Sequence, residues 1–262
     1  KKKKLKRKRK NAFSFFNFSM QDLNIKFQNV NTGKISDLLS QNNDIVSKIN
    51  NTILHLPAFN ILNNDELLIQ TISTARNFIN SKNHFFVFGT GGSSLGSRAL
   101  INILLGKEKN TVSFFDNIDP LNFKNLLEKF KLEDSGYVII SKSGSTAETL
   151  SQFGCLIELF NQKNQLDLLF KNCLIITENK PNSLRHIGNQ YQCKILDHEI
   201  DIGGRYSIFS NVGILPAIIA GIDVKKFHNG AKYLLDKVKN GSFNEHLKLA
   251  KLFSSKACFK QI

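Results

Sequence analysis

The segment Ile-Ile-Ser-Lys-Ser-Gly-Ser-Thr-Ala-Glu-Thr, residues 139–149, decides the class of fold. It continues the apolar run 137–140 and places five small hydroxyl residues around one lysine and one glycine. A buried strand that ends in hydroxyl residues and enters a helix is typical of a phosphate-binding loop in an α/β protein, because the free N–H groups and the dipole of a helix start attract an anion. A helix cap rich in Ser and Thr is the structural alternative. Five hydroxyl residues together with Lys142 exceed what a cap requires, so the pattern favours a ligand-binding loop.

Short apolar runs alternate with helical patterns on both sides of this segment. The apolar runs lie at 84–89, 111–115, 136–141, 172–177 and 193–196. The helical patterns between them lie near 94–105, 120–131, 146–161 and 181–190. This alternation predicts an α/β fold with a parallel sheet covered by helices on both faces. Ligands bind at the carboxyl ends of the strands in such a sheet, which is where residues 139–149 fall.

Apolar residues at helical spacing also predict helices before and after the sheet. They cover 35–55, 65–80, 209–221, 223–239 and a stretch that begins near 245. We therefore divide the chain into a basic segment 1–19, a helical segment 20–82, a sheet domain 83–222 and a helical segment 223–262.

A glycine-rich segment, Gly-Thr-Gly-Gly-Ser-Ser-Leu-Gly at residues 89–96, follows the first strand. It is not a dinucleotide-binding fingerprint, because Ser94 stands where the third glycine should be, and it lacks the Gly-Lys-Ser/Thr ending of a P-loop. Glycine allows close approach of a ligand to the backbone, and Ser93 offers a hydroxyl. A tight strand-to-helix turn explains the segment equally well.

A third segment, Gly-Gly-Arg-Tyr-Ser at residues 203–207, follows the last strand. Its glycines leave room beside the backbone, and Arg205 can place a fixed charge on an oxyanion or a phosphate. The alternative is an arginine that pairs with an acid such as Asp201.

The roles of two charged residues in the first segment are also open. Lys142 is either a phosphate ligand or a solvated side chain. Glu148 is either catalytic or the acid of a capping box with Ser145.

The composition excludes several classes of protein. A chain of 262 residues with 41% apolar content can bury a sizeable core, yet it contains no run of about 20 apolar residues that would span a bilayer. There is no secretory signal, and the four cysteines lie far apart without metal-ligand spacing, so we expect a cytoplasmic protein with reduced thiols and no bound metal.

The net charge of +15 comes largely from the first ten residues, nine of which are Lys or Arg. Without them 27 basic residues face 21 acidic ones, a net charge of +6. The first methionine is Met20, so our hypothesis is that residues 1–19 are upstream translation, which N-terminal sequencing of the native protein would test. A genuine basic arm would instead indicate a nucleic-acid binder with steep salt dependence.

Together the three segments resemble the glucose-6-phosphate isomerase family, within the wider group of sugar-isomerase (SIS) domains. The family pattern S-K-(S/T)-x-(S/T)-T-x-E-T appears at 141–149, and G-(I/V)-G-G-S-x-L-G appears at 89–96 with Thr90 in place of the aliphatic residue. The signature G-G-R-(F/Y)-S-x-x-S-x-(V/I)-G matches 203–213 throughout. The resemblance covers roughly residues 35–262 and implies a five-stranded, flavodoxin-like SIS sheet.

The resemblance implies an aldose–ketose isomerase of glycolysis and gluconeogenesis that interconverts glucose 6-phosphate and fructose 6-phosphate through a cis-enediol(ate), as a homodimer and without cofactor, nucleic acid or membrane. Ser141, Lys142, Ser143 and Thr146 would hold the phosphate, and Ser93 would contact the sugar. Arg205 would stabilise the negative charge of the intermediate. The complete set of candidate site residues is Gly92, Ser93, Ser94, Ser141, Lys142, Ser143, Ser145, Thr146, Glu148, Gly204 and Arg205.

The catalytic base of the family is not found in the sequence. By resemblance it is a Glu in an E-S-x-G-K segment, aided by a His and a Lys, but the chain contains no Glu-Ser dipeptide, and Glu245 and His246 lack the family context. We therefore expect a family member cut before a second SIS domain, without isomerase activity of its own. The alternative is a single-SIS sensor that binds a sugar phosphate without chemistry.

Overall fold

The structure is a computed structural model that describes residues 47, 48, 51–53, 55–105 and 111–240. The basic segment 1–19, most of the predicted helix 35–55 and the predicted helix near 245 lie outside these residues. The domain boundaries assigned from the sequence stay a prediction.

Five parallel strands form one sheet in the order β2-β1-β3-β4-β5. They are β1 (His84–Phe88), β2 (Val112–Phe115), β3 (Ser135–Ile140), β4 (Cys173–Thr177) and β5 (Lys194–Asp197). This is the flavodoxin-like order, so the predicted sheet is confirmed. Each predicted strand ends within one residue of the observed one, because buried parallel strands are near-continuous apolar runs.

Nine α-helices accompany the sheet within the described residues between 57 and 240, and the described residues 47, 48, 51–53 and 55 are helical as well. They are α1 (Pro57–Asn60), α2 (Asp65–Ile79), α3 (Gly92–Leu105), α4 (Pro120–Lys129), α5 (Ala147–Gln162), α6 (Leu166–Lys171), α7 (Ser183–Gln190), α8 (Asn211–Ile219) and α9 (Val224–Lys239). Short 3₁₀ helices lie at Ile61–Asn63, Leu132–Asp134 and Gly204–Phe209. The sequence patterns did not predict α6, a six-residue helix that is too short to show a helical period.

Helices cover both faces of the sheet, as predicted. Phe86 and Tyr137 point to one face, where they pack with Phe153 of α5 in a hydrophobic core. Val87 and Val138, one residue further along each strand, point to the opposite face and pack against α2 and α8. Side chains alternate between the two faces of a strand, and here both sets are apolar because neither face meets solvent.

The buried histidine of β1 makes the stability of the fold depend on pH. The His84 ring stacks on Phe130 with 3.5 Å between ring centroids, and its Nε2 lies 2.9 Å from the Ser113 hydroxyl. Burial, with a smaller contribution from Lys129, lowers the pKa of His84 from 6.5 to about 4. The unfolded chain therefore binds a proton on this ring between pH 6.5 and about 4 that the folded chain does not.

We expect the free energy of unfolding to fall as the pH is lowered through this window, and to do so less steeply in a His84→Phe variant. Phenylalanine keeps an aromatic ring at the stacking position but has no group to protonate. Urea denaturation of both proteins at several pH values between about 7 and about 4.5 would measure the two slopes. Equal slopes would contradict the prediction.

Candidate functional site

The hydroxyl-rich segment 141–146 forms a tight loop between the end of β3 and the start of α5. The Ser141 hydroxyl lies 2.8 Å from that of Thr146 and accepts a 3.1 Å hydrogen bond from the Gly144 N–H. Ser141 is buried, whereas Ser143 and Ser145 are exposed. Thr146 is the N-cap residue of α5, so these hydroxyl groups surround the positive end of a helix.

Gly144 closes this loop at a backbone angle that favours glycine, with φ of +66°. A Cβ atom at this position would lie 1.8 Å from Oδ1 of Asn182. The same Oδ1 accepts a 2.9 Å hydrogen bond from the Arg185 N–H and so caps α7. Asn182 was not predicted from the sequence, although an Asn directly before a helical pattern is a recognisable capping signal.

The capping box between Ser145 and Glu148, one of the two alternatives for Glu148, is not formed. The N-cap residue is Thr146, and its side chain makes no capping hydrogen bond. Ser145 instead belongs to the loop, where its N–H and its hydroxyl both donate to Oγ of Ser143, at 3.3 and 3.2 Å. The helix thus starts one residue later than a capping box requires, so Glu148 is only the second residue of α5.

The glycine-rich segment 89–96 links the end of β1 to α3. Gly91 has a φ of +59°, and α3 begins at Gly92. Ser93 is partly exposed, but Ser94 is fully buried and its hydroxyl donates to the Gly91 carbonyl at 3.2 Å. Of these two predicted serines, Ser93 is therefore the one open to a ligand, and Ser94 supports the turn.

The Gly-Gly-Arg segment lies directly against this turn. A Cβ atom at Gly92 would be 2.1 Å from the carbonyl carbon of Gly204, so the two backbones touch. The Ser207 hydroxyl donates to the carbonyl oxygens of Gly204 at 2.6 Å and of Gly92 at 3.3 Å. Ser207, the serine of the G-G-R-(F/Y)-S signature, was not among the predicted site residues.

Arg205 lies on the 3₁₀ helix Gly204–Phe209 and is exposed. Among the described residues, none forms an ion pair or a side-chain hydrogen bond with its guanidinium. The alternative of a structural pair with Asp201 is therefore not observed. The guanidinium is available to an anion.

The Lys142 ammonium lies against the chain that leads to Arg205. It donates to the carbonyl oxygens of Ile200 at 2.6 Å and Ile202 at 3.1 Å, and it lies 3.6 Å from Oε1 of Glu178. Glu178 is nearly buried, with 6% of its side chain exposed, and also pairs with Lys180. The hydrogen-bonded ammonium of Lys180, with a smaller effect of Lys142, holds the pKa of Glu178 below its usual value.

Two further polar residues of the site were missed from the sequence. Glu178 directly follows β4, and His198 directly follows β5, so both stand at the carboxyl edge of the sheet. His198 is 2% exposed, and burial lowers its pKa, which favours the neutral ring. Its Nδ1 donates to the Glu199 carbonyl at 2.9 Å, and its buried Nε2 has no hydrogen-bond partner among the described residues. A position directly after a predicted strand was the available signal.

The three motifs therefore meet at one edge of the sheet. Gly92 touches Gly204, Lys142 holds the carbonyl of Ile202, and a Cβ atom at Gly89 would lie 3.2 Å from the carbonyl oxygen of Ile140 at the end of β3. Helix starts, hydroxyl groups and an unpaired guanidinium suit an anionic ligand.

No group of His, Cys, Asp and Glu side chains in the described residues could hold a metal ion. Nor does any helix in that part of the chain have the length and apolar character to cross a membrane.

This combination defines an α/β protein with a flavodoxin-like sheet and three loop motifs at its carboxyl edge. The chain belongs to the phosphoglucose isomerase family, whose family model matches residues 43–255. It is 37% identical over 169 residues to the glucose-6-phosphate isomerase of Campylobacter jejuni, covering 63% of this chain and 41% of that protein. It is 31% identical over 193 residues to that of Carboxydothermus hydrogenoformans, covering 70% and 41%.

Solved structures share the fold. A hypothetical protein from Thermus thermophilus superimposes with a TM-score of 0.71 at 23% identity, over 85% of this chain and 55% of that one. A glucose-6-phosphate isomerase from Chlamydia trachomatis superimposes with a TM-score of 0.54 at 21% identity, over 72% and 34%. The chain thus spans about two fifths of the length of the curated relatives that it matches.

Proposed function

We propose that this chain supplies the sugar-phosphate-binding loops of an enzyme that interconverts glucose 6-phosphate and fructose 6-phosphate through a cis-enediol(ate). The observation that carries the proposal is the meeting of the three motifs at one sheet edge, through the Gly92–Gly204 contact and the hydrogen bonds of Lys142. Family membership supports it as well. The predicted homodimer and cytoplasmic location belong to the same proposal.

The phosphate binds in the loop between β3 and α5. Ser141, Ser143, Ser145 and Thr146 surround the start of α5 with hydroxyl donors, and the N–H groups of its first turn have no partner within the helix. A dianion gains from both the donors and the helix dipole. Gly144 has no side chain and adopts the positive φ that this turn requires.

The sugar lies between this loop and the Gly92–Gly204 contact. Ser93 offers its hydroxyl to the substrate, and the absence of side chains at Gly92 and Gly204 lets their two backbones meet beside it. Arg205 places its unpaired guanidinium on the oxygen that becomes negative in the enediolate, where a fixed charge lowers the barrier. Glu148, in the first turn of α5, remains a candidate for proton transfer.

Isothermal titration of the 262-residue chain with fructose 6-phosphate tests the proposal. We expect fructose 6-phosphate to bind and fructose to show no binding at the same concentrations, because the loop provides donors for a phosphate. Thr146→Val, which removes one hydroxyl at nearly constant shape, should weaken binding about tenfold. Leu121→Ala, at an exposed position of α4, is the control and should bind normally.

A coupled assay for glucose 6-phosphate turnover belongs to the same experiment. We expect binding without turnover, since the chain contains no Glu-Ser dipeptide and thus no E-S-x-G-K base. Turnover that Arg205→Ala abolishes would contradict this expectation about the base. Failure of fructose 6-phosphate to bind would overturn the proposed function itself.

A further inference from the structure

The Lys142 ammonium makes two hydrogen bonds and one ion pair within the protein. A lysine carries three N–H donors and no acceptor. Nζ lies 2.6 Å from the Ile200 carbonyl oxygen, 3.1 Å from that of Ile202 and 3.6 Å from Oε1 of Glu178. Two of the three donors are therefore used, and the third faces the Glu178 carboxylate, with which a phosphate would have to compete.

Breaking these contacts is costly. Glu178 is 5% exposed and its side chain lies between two ammonium groups, those of Lys142 and Lys180. Withdrawal of Lys142 removes one of the two cations from a buried carboxylate and leaves two carbonyl oxygens without their donor. The arrangement therefore favours a lysine that stays where it is when a ligand binds.

The two carbonyls belong to the short segment that carries Arg205. Ile202 is buried, and the segment is held again at Gly204, whose backbone touches Gly92. Only the exposed Gly203 lies between these two attachment points. Without Lys142, the chain before Gly203 would lose its hydrogen bonds to the phosphate-binding loop, and the Gly92–Gly204 contact alone would fix the backbone next to Arg205.

We propose that Lys142 is a positioning residue: its ammonium ties the phosphate-binding loop to residues 200–202 and so sets the place of Arg205, and it does not contact the phosphate. This inference rests on the proposed function, because it concerns the same site. It differs from the role of phosphate ligand that the family resemblance implies for this lysine.

The two roles predict different binding patterns for Lys142→Met, which removes the charge and keeps the length. The probes are inorganic phosphate and 5-phosphoarabinonate, a sugar-acid phosphate whose carboxylate stands in for the enediolate oxygen. A positioning residue predicts that the affinity for inorganic phosphate changes less than about twofold, while that for 5-phosphoarabinonate falls about tenfold. A direct ligand predicts that both affinities fall together.

A double-mutant cycle with Arg205→Met gives the decisive readout. If Lys142 acts through Arg205, Lys142→Met has little further effect on 5-phosphoarabinonate binding once the arginine is gone. Lys142→Arg, which keeps the charge and several donors, should restore part of the affinity. Lys163→Met, which changes an exposed lysine just beyond the far end of α5, is the matched control.

Thermal unfolding of each variant shows whether it is folded. Should Lys142→Met not fold, Glu178→Gln removes the carboxylate charge that holds the ammonium and should show the same selective loss in weaker form. Parallel loss of both affinities, or additivity with Arg205→Met, overturns the positioning role. If the unchanged chain binds neither probe nor fructose 6-phosphate, the proposed function fails instead.

Discussion

Replacement of Gly92 by alanine is expected to destabilise the fold by about 3 kcal/mol or more and to abolish sugar-phosphate binding. The added Cβ atom would lie 2.1 Å from the carbonyl carbon of Gly204 and 2.4 Å from its oxygen. Both are backbone atoms, so no side-chain rotation relieves the overlap. The glycine-rich turn and the Gly-Gly-Arg segment must move apart, and the Ser207 hydrogen bond to Gly92 is lost with them.

Urea denaturation and titration with fructose 6-phosphate measure the two effects. Gly154→Ala is the matched control, because a Cβ atom inside α5 at that position meets no atom within 4 Å. That variant should be more stable by about 0.5–1 kcal/mol, since alanine is the better helix former. A Gly92→Ala protein as stable as the unchanged chain would show that the two segments do not touch.

Replacement of Gly144 by alanine is expected to lower the affinity for fructose 6-phosphate about a hundredfold, which corresponds to about 2.7 kcal/mol. The new Cβ atom would lie 1.8 Å from Oδ1 of Asn182, and the φ of +66° disfavours any residue with a side chain. The loop must open at this turn, which separates the Ser141 and Thr146 hydroxyl groups from the start of α5.

Removal of the opposing side chain tests this cause. Asn182→Ala takes away the atom in conflict, so Gly144→Ala should cost much less affinity in that background than in the unchanged chain. The remaining cost comes from the backbone angle, at about 1 kcal/mol. Gly230→Ala, inside α9 with no atom within 4 Å of the new Cβ, controls for the change of residue. Additive losses would show that the Asn182 contact is not responsible.

The strand pattern could be predicted because it depends on neighbours along the chain. Each central strand of this sheet is buried on both faces, so runs such as Val138–Ile140 are apolar at every position and end where hydroxyl residues begin. The same local logic placed Ser141 and Thr146 around a helix start. The signature 203–213 indicated the family without any three-dimensional information.

The sequence left a detail open where local spacing fits two arrangements or where a contact distant in sequence decides it. Glu148 fits a capping box by spacing, but the hydrogen bonds between Ser143 and Ser145 keep Ser145 in the loop, and α5 starts later. Lys142 has the charge that a phosphate needs, yet its partners stand 58 and 60 residues further along the chain, at Ile200 and Ile202. Glu178 was missed because its importance comes from its contact with that lysine.

By itself the sequence determined the five strands, the longer helices between them and the three motifs. The apolar period, the capping residues and the glycines that indicate these elements each lie within a few residues of one another. Only the tertiary structure decided that Gly92 and Ser207, which are 115 residues apart, share a hydrogen bond, and that the Arg205 guanidinium has no acidic partner among the described residues. The physical reason is that a parallel sheet brings the carboxyl ends of all its strands to one edge, but the fit between loops at that edge depends on backbone contacts. No local pattern of residues encodes these contacts.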